Sequence, residues 1–227
     1  MARYFDGVDD YIRRNGVNVS LSSQLTICMW VKTTATTLGR LIDWNRDPGN
    51  FYYEWVFQMN ADGTIRFWDY HTSDYGFRDD TTNQSTVSIN DGQWHHIAFV
   101  KNGTSGAYYI DCQLRGTPTA SANISYGTRG FTIGIDYRDM INLGNGRPFG
   151  GYISEVRIYN RALSQSEIQS EMYRRIPAKQ NLVIYLPLWE REGSIVLDNT
   201  GNGNDGTIYG ATYADDPPML GGSIVTP

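Results

Sequence analysis

The chain has 227 residues, a length that suits one large all-β domain or two small ones. Its 16 Tyr, 6 Trp, 8 Phe and 24 Gly describe an aromatic, turn-rich sequence, which favours many strands over a helical bundle. A net charge of −5 without a basic run gives nucleic acid no electrostatic footprint, and no apolar stretch approaches the roughly 18 residues of a membrane span.

The opening MARYFDG lacks the basic and apolar regions of a secretory signal. The expectation is therefore a soluble chain that stays in the cytoplasm, or that leaves by assembly into a particle or by lysis. Strand patterns follow in order at 25–32, 40–44, 51–59, 64–70, 95–101, 107–110, 130–135, 152–159 and 183–188, punctuated by Gly, Asn and Asp. Cys28, in the apolar run TICMWV, reads as a small buried hydrophobe. Cys28 and Cys112 could pair, although two cysteines in a chain of this size are no disulfide framework. The sequons at Asn18, Asn83, Asn102 and Asn123 read as chance in a polar, Asn-rich chain.

One hairpin can be registered from its side chains. A three-residue loop, Ala61-Asp62-Gly63, pairs Asn60 with Thr64 and puts Tyr53, Trp55, Phe57 and Met59 beside Ile65 and Phe67 on one face. That face is core. The other carries Tyr52, Glu54, Gln58, Arg66, Trp68 and Tyr70, a polar and aromatic set expected to be exposed or ligand-facing. Further on, Ser164-Gln165-Ser166-Glu167 is a capping box, and Ile168 and Met172 lie four apart behind it. A short helix is predicted there, stopped by Pro177.

Four phrases carry a resemblance. They are FDGVDDYI at 5–12, NDGQWHHIAFVK at 90–101, GGYISEVRIYNRAL at 150–163 and GNGNDGTIYGA at 201–211. Together they resemble the laminin G/pentraxin-like modules of the concanavalin A-like lectin and glucanase superfamily. The resemblance implies an all-β jelly-roll sandwich of two antiparallel sheets. In those modules the GNGNDGTI phrase usually comes first and FDGVDDYI follows. The exchanged order implies a circular permutant: a single domain over 1–227, with a main body at 1–176, permuted strands at 181–213 completing it, and a tail at 214–227. The other reading is a whole module followed by the truncated start of a second.

Two positions depart from the family pattern. Ser154 stands where relatives often have Asp before the Glu of "IDEVRIYN", which weakens the case for an ion there. Cys112 replaces the Gly of an "IDGQL" turn, so either the turn differs or Cys112 is strained at positive φ.

The chemistry is then weighed residue by residue. Glycan-cleaving relatives alternate acids along one strand so that two carboxylates face the same bond. Here the acids come in adjacent pairs, Asp9-Asp10, Asp79-Asp80 and Asp215-Asp216, and Glu54 and Asp69 fall on opposite faces of the hairpin. His71, His95 and His96 give no metal triad, and no nucleophile elbow is present. The expectation is no enzyme.

Residues 198–205 are rich in oxygen donors and glycine. They make Asp198, Asn202 and Asp205 candidate ligands for a structural Ca2+, against the reading of a loop folded by its own side-chain hydrogen bonds. A carbohydrate site needs an aromatic face flanked by polar hands. Trp44, Asn45, Arg46 and Tyr52 on one segment, and Trp68, Tyr70, His71, Tyr75 and Arg78 on another, supply that set. The primary expectation is a non-catalytic carbohydrate-binding or adhesion module. The alternative is a decoration or fibre subunit of a virion or other surface assembly, a homo-oligomer acting through protein contacts. Met219, Leu220, Ile224 and Val225 in the tail motivate it. The partner is a glycan or a surface protein.

Overall fold

A computed structural model describes residues 1–17, 20–45, 53–71, 74–136, 147–173 and 176–216, with only the backbone described at Asn45, Tyr53, Glu54, Tyr70, His71, Asp74 and Tyr75. Asn18, Arg46, Tyr52 and the four tail apolars lie outside the described residues. The architecture is all-β: two antiparallel eight-stranded sheets, with one short helix among the described residues.

The first sheet holds β1 (Ala2–Asp6), β3 (Gln24–Lys32), β8 (Trp94–Asn102), β9 (Ser105–Ile110), β10 (Gln113–Gly116), β12 (Gly150–Tyr159), β13 (Leu182–Leu186) and β16 (Thr212–Ala214). Its order is β10-β9-β8-β3-β12-β1-β16, with β13 also on β12. The second sheet runs β14 (Ile195–Val196), β15 (Gly206–Tyr209), β2 (Tyr11–Arg14), β11 (Gly130–Ile133), β4 (Gly39–Asn45), β5 (Tyr53–Met59), β6 (Ile65–His71) and β7 (Asp74–Tyr75). Strands from both ends of the chain thus lie in the same sheets. Tyr4 pairs with Thr212, and Ile12 pairs with Ile208.

Alternation along the strands turns one face of each sheet inward. Ile27, Met29, Phe99 and Ile153 from the first sheet meet Trp44, Trp55, Phe57 and Phe67 from the second, all at 0 % exposure. In β4 a one-residue bulge after Arg40 turns both Leu41 and Ile42 inward.

The hairpin has the register read from its side chains. Met59 faces Ile65, Gln58 faces Arg66, Asn60 N–H donates to Thr64 O, and Gly63 sits at φ 82°. Only glycine adopts that loop conformation without strain, and a Cβ there would lie 2.2 Å from the Asn90 side chain.

Helix α1 (Gln165–Tyr173) starts at the capping box: Ser164 Oγ accepts from Glu167 N–H at 3.3 Å, and Glu167 Oε2 accepts from Ser164 N–H at 2.8 Å. It packs on the outer face of the first sheet against Cys28, Ala98, Val100, Cys112 and Tyr159. Both cysteines are free. Asp111 (φ 50°) and Cys112 (φ 63°) occupy a left-handed turn between β9 and β10, so the strained alternative is the one realised. The Cys112 sulfur rests 3.1 Å from Met172 Sδ, and burial pushes its thiol up to about 11, which keeps it protonated near neutral pH.

Candidate functional site

The polar, aromatic face of the β5–β6 hairpin differs from expectation: its described side chains are mostly buried. Gln58 is at 0 % exposure and Trp68 at 7 %, and on the neighbouring strands Arg40 and Asp43 of β4 and Thr132 of β11 are at 0 %. Trp68 packs on Val56 in a small cluster separate from the main core. Its Nε1–H donates to Gln58 Oε1 at 3.0 Å, and the Arg40 guanidinium lies 5.4 Å over its ring. Arg40 also donates to Gln58 Oε1 and, at 3.2 Å, to Asp136 Oδ2. Gln58 Nε2 donates to Asn60, and Asn60 Nδ2 reaches Thr64 and Gln84. Arg66 then bonds Gln84 and Asp79 at 2.7 and 2.6 Å. The residue types that suggested sugar hydroxyls bind one another.

Trp44 turns to the opposite, core face. It stacks on Trp55 at 5.6 Å and 12°, is fully buried, and donates Nε1–H to Gly127 O at 3.1 Å, so no ring face is free for a ligand. Asn45, Tyr70, His71 and Tyr75 are placed by their strands at the β4 and β6–β7 ends; Arg78 is exposed just beyond. Asn83 belongs to the interior. Its Nδ2 donates to Phe67 O and Arg78 O, and its Oδ1 accepts from Tyr108, so the sequon there is closed to a glycan.

The Asn/Asp/Gly loop does not fit a calcium ion. Asp198 Oδ1 accepts from Tyr185 N–H (3.1 Å), Thr200 N–H (3.1 Å) and Thr200 Oγ1–H (2.8 Å), while Oδ2 accepts from Asn204 N–H (3.1 Å). Asp205 Oδ1 accepts from Asp198 N–H, and Asn202 Nδ2 donates to Val183 O. Oxygens aimed at separate donors on all sides do not converge on one cation. The loop instead closes the free edge of β13, since Asn199 N–H also reaches Tyr185 O at 2.9 Å. In FDGVDD, the carboxylate oxygens of Asp6, Asp9 and Asp10 lie within 4.8 Å of one another. Asp6 Oδ1 accepts from Val8 N–H and Asp9 N–H, and Asp10 Oδ2 accepts from Asp6 N–H, which is turn geometry.

An open cleft of about 620 Å³ lies where β13 leaves the helix, and sequence reasoning missed it. Tyr185, Trp189 and Leu182 give it apolar walls; Lys179, Asn199 and Thr200 give it polar ones. The signal was present in LPLWEREG followed by DNTGNGND, an aromatic next to an amide-rich loop, but only the β13 edge contact brings them together.

Buried charges fix the cleft's floor. Tyr185 Oη donates to Glu155 Oε2 at 3.0 Å under the Arg157 guanidinium, 5.3 Å from the Tyr185 ring. Arg157 bonds Glu155 and, at 3.0 Å, Glu171, which also accepts from Tyr159 at 2.6 Å. Burial raises the Glu155 carboxyl above its usual range, and the Arg157 cation opposes that shift. Glu155 sits at φ 56° in the β12 bulge. Ser154 beside it donates to Met1 O and Pro187 O at 3.0 and 3.3 Å, where an Asp would set a carboxylate against two carbonyls. Glu155 and Glu171 are 1 % and 2 % exposed and share one arginine, an arrangement that locks strand to helix.

A family model described as the concanavalin A-like lectin/glucanases superfamily matches residues 6–169, most of the chain. The chain belongs to that superfamily. Among curated relatives of this lectin-like chain is the rat "sushi, von Willebrand factor type A, EGF and pentraxin domain-containing protein 1", 26 % identical over 180 residues. The match covers 72 % of the chain but only 4 % of that relative's length. A putative carbohydrate binding protein from Bacteroides ovatus superposes with a TM-score of 0.68 at 19 % identity, over 93 % of this chain and 58 % of that one. Domain 4 of AbnA, an extracellular arabinanase from Geobacillus stearothermophilus, was solved in complex with arabinotriose. It superposes with a TM-score of 0.53 at 25 % identity over 75 % of each chain. Among the described residues no helix is long and apolar enough to cross a membrane.

Proposed function

We propose that this chain is a non-catalytic carbohydrate-binding module and that the Trp189 cleft is its binding site. One observation carries the reading: an open concavity pairs a half-buried tryptophan with Lys179, Asn199 and Thr200 over a floor fixed by buried ion pairs. Apolar walls with a few placed polar groups are what a small-ligand site of this size requires. The arabinotriose bound to the Geobacillus domain and the description of the Bacteroides protein support the ligand class. A glycan array with the native chain and Trp189→Ala tests it. Binding lost in a variant of unchanged melting temperature supports the cleft, and equal binding by both chains removes it.

A second reading, an adhesive or structural subunit such as a virion surface or fibre protein, is supported by exposed apolar groups. Ile176 on the cleft rim is 75 % exposed, and Ile195 and Leu197 lie half-exposed at the β14 edge of the second sheet. A concentration-independent oligomer that dissociates in Ile176→Asp would favour this reading, and a strict monomer would remove it. The exchanged order of family phrases reads as circular permutation within one domain, supported by the pairing of Tyr4 with Thr212. A chain reopened near residue 178, with its present ends joined, should melt as the native chain does.

A further inference from the structure

Among the described residues, α1 covers the outer face of the first sheet at one end. Two residue pairs along from Cys28 and Ala98, which lie under the helix, the same face carries a row of side chains that cross four strands in register. Tyr4 on β1 pairs with Tyr152 on β12, Tyr152 with Lys32 on β3, and Lys32 with Trp94 on β8. Directly paired residues on antiparallel strands share a face, so the four side chains form one continuous line. The Tyr4 and Tyr152 rings lie 5.0 Å apart and those of Tyr152 and Trp94 6.2 Å apart. Tyr4 is 38 % exposed and the other three are half-buried.

The polar groups in the row are already aimed. Lys32 Nζ sits 5.5 Å from the Tyr152 ring centroid and donates to Asp216 Oδ2 at 2.6 Å, while Trp94 Nε1–H donates to Asp216 Oδ1 at 3.3 Å. A shallow cleft of about 400 Å³ opens alongside, lined by Thr33, Thr34, Gly92, Gly150 and Gly151. Its glycines leave the floor without side chains, and Thr34 is exposed.

We infer that this row is a second glycan-binding surface, which takes neutral oligosaccharide chains laid across the strands. The inference rests on the carbohydrate reading above but uses a different site. Aromatic bodies with polar tips suit a ligand whose ring faces are apolar and whose rims carry hydroxyls. A sugar hydroxyl both donates and accepts; Lys32 offers only donors and Asp216 only acceptors, a matched pair for it. The cation and the carboxylate cancel, and with a chain net charge of −5 a polyanionic chain is disfavoured. A purely apolar partner is disfavoured too, because covering the row would desolvate the Lys32–Asp216 pair.

The tryptophans make the test specific. Of the six, Trp30, Trp44, Trp55 and Trp68 are buried, so Trp94 and Trp189 are the two that a surface ligand can reach. Intrinsic fluorescence would be titrated with arabinotriose and with cello-, xylo- and galacto-oligosaccharides in native, Trp189→Phe, Trp94→Phe and Tyr152→Ala chains. The expected result is a saturable signal with two components, one lost in Trp189→Phe and the other in Trp94→Phe, the second of which shifts to at least tenfold weaker binding in Tyr152→Ala at unchanged melting temperature. A signal lost in Trp189→Phe and untouched by Tyr152→Ala overturns the row and leaves the cleft standing. A single-component signal that is unchanged in Trp189→Phe and abolished in Trp94→Phe removes the cleft and keeps the row. A Tyr152→Ala chain that changes only its sedimentation coefficient assigns the row to contact with a second copy and overturns the inference.

Discussion

The two sheets treat the same residue types in opposite ways. On the outer face of the second sheet, Trp68, Arg40, Gln58 and Asp136 close on one another and are buried; on the first sheet, Tyr4, Tyr152, Trp94 and Lys32 form a comparable aromatic and charged set that stays open to solvent. Apart from Asp136, which follows β11, both sets sit at outward strand positions. The difference lies in the partners. Arg40 finds Asp136 across the sheet and Gln58 on the next strand, whereas Lys32, among the described residues, pairs with the half-exposed Asp216. Side-chain chemistry decides what a face can bind, and burial decides whether it binds ligand or itself.

The largest consequence of closure is at Arg40. With Arg40→Ala, Asp136 stays buried with its 3.2 Å cation gone and Arg147 at 3.9 Å in its place, and Gln58 loses a donor. Breaking a buried pair from one side costs about 3–5 kcal/mol. Urea unfolding should show that loss, and a change within about 1 kcal/mol would mean that solvent reaches this face.

A slightly smaller effect comes from Asp69, which β6 turns into the core opposite Trp55. Burial pushes its carboxyl up to about 6, against hydrogen bonds from Tyr126 and Phe77 N–H that favour the ionised form. The folded state therefore holds this proton more tightly than the unfolded chain does. The stability it contributes is complete below about pH 4 and is lost as pH rises through about 6, on the order of 3 kcal/mol in all. Asp69→Asn cannot ionise. Its stability relative to the native chain should rise from pH 4.5 to 7.5, and a pH-independent difference would refute the shift. His95 has to be kept in both chains, because hydrogen bonds to Asp111 and Asp91 raise it and it too loses stability as pH rises above about 6.5.

Smaller again is the contrast between Trp68→Phe and Tyr152→Phe. The first removes a buried N–H bonded to Gln58 and part of a packed ring, for about 1–2 kcal/mol; the second removes a half-exposed hydroxyl and should leave the melting temperature unchanged. Equal effects would erase the distinction between the two faces.

Much of the fold was legible because it rests on local pattern. The Asn60–Thr64 register follows from alternation on either side of a Gly-containing loop, and the capping box at Ser164 and Glu167 is contiguous in sequence. The sites were less legible because exposure is not local. Trp44 lies beside a polar loop in sequence, yet its strand turns it onto Trp55. Asp198 has the neighbours of a calcium ligand, but its oxygens are committed to Tyr185, Thr200 and Asn204, and one of those three belongs to a strand thirteen residues earlier. The row of Tyr4, Lys32, Trp94 and Tyr152 is spread over almost 150 positions and becomes a line only once the register of four strands is known.

The smallest expected effect tests the open side of the comparison. Lys32 and Asp216 approach to 2.6 Å, closer than Arg40 and Asp136, and by distance alone the exposed pair would be the stronger. Their side chains are 30 % and 40 % exposed, however, so water and salt screen the attraction and the flexible lysine loses entropy on pairing. Lys32→Ala should cost less than about 1 kcal/mol, and the loss should fade at 1 M salt, where the screening length is about 3 Å. Arg40→Ala should keep its full effect at that ionic strength, because its partners are out of reach of counterions. A salt-insensitive loss of about 3 kcal/mol at Lys32 would show that the row is covered in the folded chain, and the contrast between the two faces would then fail.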